Sequence, residues 1–202
     1  MKLLFCFITF FILSPSYAQL TAVVKWAETS SQPKDETIYY SSEKKLGWQN
    51  FLGAPQDRGM VAAETVSGFG YNAAIKALNG EGEIIINVYC FFNKKTSWVK
   101  PVHTTSYILN HEQHHFDISY IASKIFIQKL QAAAFTIENY NVLLSLIYNE
   151  SMGIMRKMQQ NYDTQTRNGL LTDQQEKWNT KIDECLNHNT GSSPAEKYSL
   201  LQ

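Results

Sequence analysis

The spacing of apolar residues changes character near Pro101, and that change limits the architectures open to the chain. Before it, short apolar or aromatic runs alternate with turn residues, the pattern of strands and hairpins. Ala22 to Trp26, Thr37 to Ser41 and Ile84 to Phe92 are the predicted strands, with Asn79 to Glu83 as the turn feeding the last of them. Asn93-Lys94-Lys95 predicts a turn before a short extended piece, Ser97-Trp98-Val99. Trp48 to Phe51 predicts a short turn of helix, and Gly68-Phe69-Gly70-Tyr71 reads as a bend.

After Pro101 the pattern is helical. In a first helix from about Thr105 to Ala133, residues Ile108, His111, His115, Ile118, Ala122 and Ile125 recur at steps of three and four, which puts them in one stripe. A second helix, from about Ile137 to Thr166, carries Ile137, Asn141, Leu144, Tyr148, Met152, Met155 and Gln159 at similar spacing, with Asn168-Gly169 as its stop. A third, capped by Thr172 or Asp173, runs to about Leu186. Strands first and helices after predict an α+β fold. An N-terminal antiparallel or mixed sheet precedes a C-terminal helical part that carries His111 and His115. Residues 19–186 are enough for a single domain, and residues 187–202 read as a loosely ordered tail.

Residues 1–18 have the form of a cleaved signal peptide. Lys2 is followed by an apolar run from Leu3 to Leu13 and by a small–x–small ending at Ala18. About eleven apolar residues are too few to span a bilayer comfortably, so no permanent membrane anchor is expected. The reading is therefore of an exported protein, periplasmic or secreted. The whole chain has 18 Lys and Arg against 18 Asp and Glu, and cleavage removes only Lys2, leaving a net charge of −1. That balance offers no electrostatic footprint for nucleic acid. Cys90 and Cys185 remain; export permits a disulfide between them, but spacing alone does not decide it.

Chemistry concentrates at Leu109-Asn110-His111-Glu112-Gln113-His114-His115-Phe116-Asp117, which contains His-Glu-x-x-His. Residues four apart project from one side of a helix, so His111 and His115 can bind one Zn²⁺, while Glu112 sits beside the metal without needing to ligate it. Zinc brings the pKa of water to roughly 7, and a neighbouring carboxylate can accept that proton and then hand it to a leaving amine. Both histidines fall on the stripe expected to be buried, where an imidazole needs a partner. His114 lies off the stripe and reads as a surface or cleft residue. Asp117 reads more readily as a solvated helix carboxylate than as a hydrogen-bond partner of a ligand histidine. Folding the second helix back antiparallel about residue 134 sets residues 152 to 160 opposite the histidines, with Asp163 and Glu150 flanking as candidates for a third ligand.

The chain resembles a bacterial domain family of unknown function whose members are described as secreted zinc-dependent proteases. The resemblance runs from about Thr37 to Leu186. It rests on Ile38-Tyr39-Tyr40-Ser41, Leu46 to Pro55, Ser67 to Tyr71 and Ser97-Trp98-Val99. The histidine segment Ile108 to Ile118 and Tyr162-Asp163-Thr164-Gln165-Thr166-Arg167-Asn168-Gly169 follow, with Gln175 and Trp178 beyond. It implies an exported zinc peptidase acting on a peptide or protein substrate, with Asp163 favoured as third ligand. Tyr162 enters as an oxyanion donor. The family pattern has His-Gly where this chain has Asn168-Gly169. That departure favours an alternative, a catalytically inactive, zinc-stabilised envelope binding module.

Overall fold

In the computed structural model, which describes residues 19–78, 81–187, 199 and 201, the longest ladder is an antiparallel hairpin of β4 (Ser67–Leu78) and β5 (Glu81–Asn93). The other edge of β5 is shared by two short strands. β1 (Gln19–Trp26) runs parallel to its first half, and β2 (Thr37–Tyr39) runs antiparallel to its end. β5 is thus the centre of a mixed five-stranded sheet, completed by β7 (Phe135–Thr136) on the outer edge of β1. Two-residue strands β3 (Ala63–Glu64) and β6 (Trp98–Val99) form a separate antiparallel pair.

Alternation along β5 decides which face is covered. Ile84, Ile86, Val88, Cys90 and Phe92 are fully buried, while the residues between them are not, the period of a strand with one face on the core. That face receives α1 (Ser106–Ala132), which Thr105 caps by accepting a hydrogen bond from the Ile108 N–H at 3.2 Å. Phe116 meets Phe92 and Tyr40, and Phe126 meets Phe69 and Tyr71. The opposite flank of α1 is covered by α2 (Tyr140–Thr166) and α3 (Thr172–Leu186). The fold is α+β, a curled sheet and three helices, and α1 is its central element rather than a surface helix with one apolar stripe.

Several expectations need correction. Gly68 to Tyr71 is not a bend but the start of β4. Its glycines lie opposite Phe91 and Tyr89, and a side chain at Gly70 would come within 2.7 Å of the Tyr89 hydroxyl, so the ring covers the strand where no side chain exists. The second helix starts at Tyr140, not Ile137. Phe135-Thr136 pairs with β1, and Asn139 closes the turn by accepting from the Thr136 N–H at 2.8 Å. Thr172 opens α3 rather than capping it; Leu171 precedes the helix and supplies no side-chain bond. In the tail, Leu201 is fully buried in the core. The leader and most of the remaining tail lie outside the described residues. No disulfide joins Cys90 and Cys185 among the described residues, although both are buried.

Candidate metal centre

The i, i+4 spacing on α1 brings the His111 and His115 rings to the same flank, facing α2, with their Nε2 atoms 3.2 Å apart. Asp163, one turn from the end of α2, sets Oδ1 3.0 Å from His115 Nε2 and 3.3 Å from His111 Nε2. Three candidate donor atoms from two helices therefore converge on one point. For Zn–N and Zn–O bonds near 2.05 Å, tetrahedral donors lie about 3.3 Å apart. The observed separations match that edge length, so the residues fit a zinc ion.

The donors face inward because two glutamines orient the rings. Gln159 Nε2 donates to the His115 carbonyl at 2.8 Å, an acceptor only, so Gln159 Oε1 is the end that faces His115 Nδ1. Nδ1 must carry the proton it donates there, which leaves Nε2 as the lone-pair end directed at Asp163. His111 is held by a longer loop of the same sense. Its Nδ1–H donates to Gln175 Oε1 at 2.8 Å, Gln175 Nε2 donates to the Tyr162 hydroxyl, and Tyr162 donates to the His111 carbonyl at 3.3 Å. Such partners fix tautomer and ring orientation in metal sites.

Three acceptors this close repel one another unless a cation lies among them. Burial opposes a charge on His115, but the bond to Asp163, the charges of Asp163 and Glu112 and the Gln159 contact outweigh it and push its pKa up to about 9. Burial likewise works against ionising Asp163, and its close contacts with His111 and His115 hold its carboxyl well below the usual range. A proton on His115 and a divalent metal ion thus satisfy the same convergence of atoms.

Glu112 is 3% exposed, and its Oε2 is buried without a hydrogen-bond partner among the described residues. A buried carboxylate oxygen left unpaired is costly, so its position calls for a function. Glu112, His111, His115 and Asp163 all line one cavity of about 700 Å³. Its strand-side wall is pinned to α1 by Thr65, whose hydroxyl donates to the Glu112 carbonyl at 3.1 Å, and by Ser67, whose hydroxyl reaches the His115 carbonyl at 3.4 Å. Its other wall includes Asn168 and Gly169, which follow α2 in a left-handed run of backbone, with φ 51° at Arg167, 52° at Asn168 and 78° at Gly169.

The remaining sequence candidates lie elsewhere. Glu150 is half exposed and pairs with Lys129 at 2.9 Å, well away from the histidines along α2. Tyr162 is fully buried, stacks on His111 with ring centroids 4.6 Å apart, and spends its hydroxyl on the His111 carbonyl; it does not line the cavity. It is placed to orient a ring, not to donate to a substrate oxygen. His114 is buried, not a surface or cleft residue, and its Nδ1 lies 3.1 Å from Asp117. Asp117 is fully buried rather than solvated. It also accepts from Tyr40 and Gln113 and pairs with Lys45, tying the segment after β2 to α1.

Sequence reasoning missed Gln159 and Gln175 as partners of the histidines. The signal for Gln159 was weak but present: it is a polar residue following Met152 and Met155 on a mostly apolar stripe, one turn before Asp163. Comparison of the chain with protein-family models, with curated proteins and with solved structures finds no match. The functional reading therefore rests on the site itself.

Proposed function

We propose that this protein is an exported zinc-dependent peptidase of zincin-like type, with His111, His115 and Asp163 as metal ligands and Glu112 as general base. The observation that carries the reading is the unpaired, buried Oε2 of Glu112 in the wall of the cavity where the three donor atoms converge. Held there, zinc supplies Lewis acidity toward a carbonyl oxygen and acidifies water. The protein does the rest. Gln159 and Gln175 keep both imidazoles in the donor tautomer. Asp163 balances cationic charge. Glu112, with an oxygen free to accept, takes a proton from the attacking water and returns it to the leaving amine.

A second reading, a zinc-stabilised envelope binding module without catalysis, is favoured by one observation. Asn168, an exposed amide that does not titrate, stands in the cavity wall where the family that the sequence resembles has histidine. One preparation tests both. Residues 19–202, made without a histidine tag and reconstituted with zinc, are assayed for metal by elemental analysis and for cleavage of an unfolded protein by mass spectrometry. One zinc per chain with cleavage abolished by a chelator is the expected result. One zinc without cleavage selects the binding module, and failure to retain zinc overturns both readings.

A further inference from the structure

Large apolar side chains that reach solvent form part of the cavity wall. Ten are exposed among the described residues, and Met60, Val66, Tyr107 and Leu170 line this one space. Met60 is 79% exposed and Leu170 is 57% exposed, so neither is held by the core. One comes from the strand side, just before β3, and the other from the turn after α2. Val61, Ala62, Ile108 and Met155 extend the apolar lining between them. Apolar groups exposed together around a cleft present a recognition surface.

The charges in the walls sharpen this. Arg58 and Glu64 both line the cavity, but Arg58 Nη1 lies 2.9 Å from Glu64 Oε1, and Glu64 Oε2 accepts from the Trp98 indole N–H at 2.8 Å. These two charges are engaged with each other. Apart from them, the histidines and carboxylates of the wall are His103, at its exposed rim, and His111, Glu112, His115 and Asp163 of the candidate metal centre. A charged side chain set against Met60 and Leu170 would shed water without gaining a partner from either, whereas an apolar one would cover them. Methionine suits a wall that meets more than one shape of apolar side chain.

We propose that the cavity selects polypeptide segments presenting a bulky apolar side chain, such as Leu, Met or Phe, beside the bond that Glu112 attacks, and rejects Asp or Lys at that position. The proposal rests on the peptidase reading for its chemistry but not for its binding. The probes are three end-blocked peptides, Gly-Gly-Ala-Leu-Ala-Gly and its counterparts with Asp or Lys in place of Leu. Cleavage is followed with the zinc-loaded chain, and binding is measured by calorimetry with the Glu112→Gln variant. The Leu peptide is expected to be favoured at least about tenfold in kcat/KM and in Kd. Leu170→Asp, at an exposed position, is expected to shrink that preference to less than about threefold with the melting temperature unchanged.

Cleavage or binding that ignores the varied residue overturns the proposal and leaves the peptidase reading intact. Selective binding without cleavage by the unsubstituted chain upholds the proposal and removes the peptidase reading. Absence of binding by all three peptides at millimolar concentration overturns it.

Discussion

Gln159 grips His115 at two points: its amide oxygen faces the ring Nδ1, and its amide nitrogen donates to the residue's own carbonyl at 2.8 Å. The single side chain ties ring orientation to the helix that carries the ring. Gln159→Leu is therefore expected to weaken zinc binding by about 10- to 100-fold, as loss of such partners does elsewhere. Gln159→Glu is expected to fail similarly, because it sets a carboxylate against a backbone carbonyl that needs a donor. Competition with a chromophoric chelator measures both. Zinc affinity unchanged in either variant would remove the orienting role.

The proposed base, Glu112, carries a buried carboxylate oxygen with no hydrogen-bond partner among the described residues. Replacing it by glutamine keeps the shape, removes the buried charge and abolishes the base. Glu112→Gln is expected to retain one zinc, melt no lower than the parent, and lose about 10²- to 10⁴-fold in peptide hydrolysis. Calorimetry and a rate assay on the same preparation check it. A variant that melts clearly lower would mean that Glu112 has a structural partner, and unchanged hydrolysis would remove it from the mechanism.

Asp163 and Glu150 were equivalent as carboxylates on α2 and differ in where the helix puts them. Asp163→Ala is expected to reduce zinc affinity by at least about 100-fold, while Glu150→Ala, which only frees Lys129 at the surface, is expected to leave it unchanged. Titration of both variants with zinc separates them. Equal losses would mean that the donor set is not the one on α1 and the end of α2.

The histidine pair was readable because helical periodicity fixes which residues four apart share a side. Asp163 was within reach for the same reason, but the antiparallel mirror point lies near residue 137, where His115 meets Gln159, rather than near 134. The connection had consumed Phe135-Thr136 as a strand on β1, a long-range pairing that no local pattern announces. β4 was hidden because Gly68 and Gly70 read locally as a bend, and only the rings of Phe91 and Tyr89 across the hairpin make them strand residues. His114 and Asp117 looked solvated because one buried stripe was assumed. With the sheet on one flank of α1 and two helices on the other, nearly every direction is interior. Periodicity reports that a face is buried; it does not report how many faces are.

Gly169 and Gly59 both have left-handed backbone, at φ 78° and 60°, but differ in surroundings. A Cβ at Gly59 meets nothing within 4 Å, whereas one at Gly169 lies 3.3 Å from His111 Nδ1. Each alanine substitution is expected to cost about 1–2 kcal/mol from backbone strain. Gly169→Ala is expected to cost more than Gly59→Ala and, unlike it, to weaken zinc binding by displacing the His111 ring from Gln175. Urea unfolding and zinc titration of the pair isolate the contact. Equal behaviour in both assays would mean that the turn after α2 does not buttress the metal centre.

Buried acids in the core, Cys90 and Tyr40 among them, set an alkaline limit on the fold. Burial raises the Cys90 thiol well above its ordinary value of 9.0, with the charge of Asp117 adding to the effect. Burial, followed by the charge and hydrogen bond of Asp117, raises the Tyr40 hydroxyl above 10.0. Both stay protonated in the folded chain at pH values where the unfolded chain releases its protons. The unfolded state then binds fewer protons, and stability falls as pH rises. Each group contributes about 1.4 kcal/mol per pH unit, starting near pH 9 for Cys90 and near pH 10 for Tyr40. Urea midpoints measured between pH 8 and 11, with reductant and a chelator present, are expected to drop in that order. Cys90→Ala is expected to be less stable at pH 8, because it leaves a cavity beneath the sheet, yet to show a flatter profile between pH 9 and 10. An unchanged slope in that variant would mean that the thiol titrates no differently in the folded and unfolded chains.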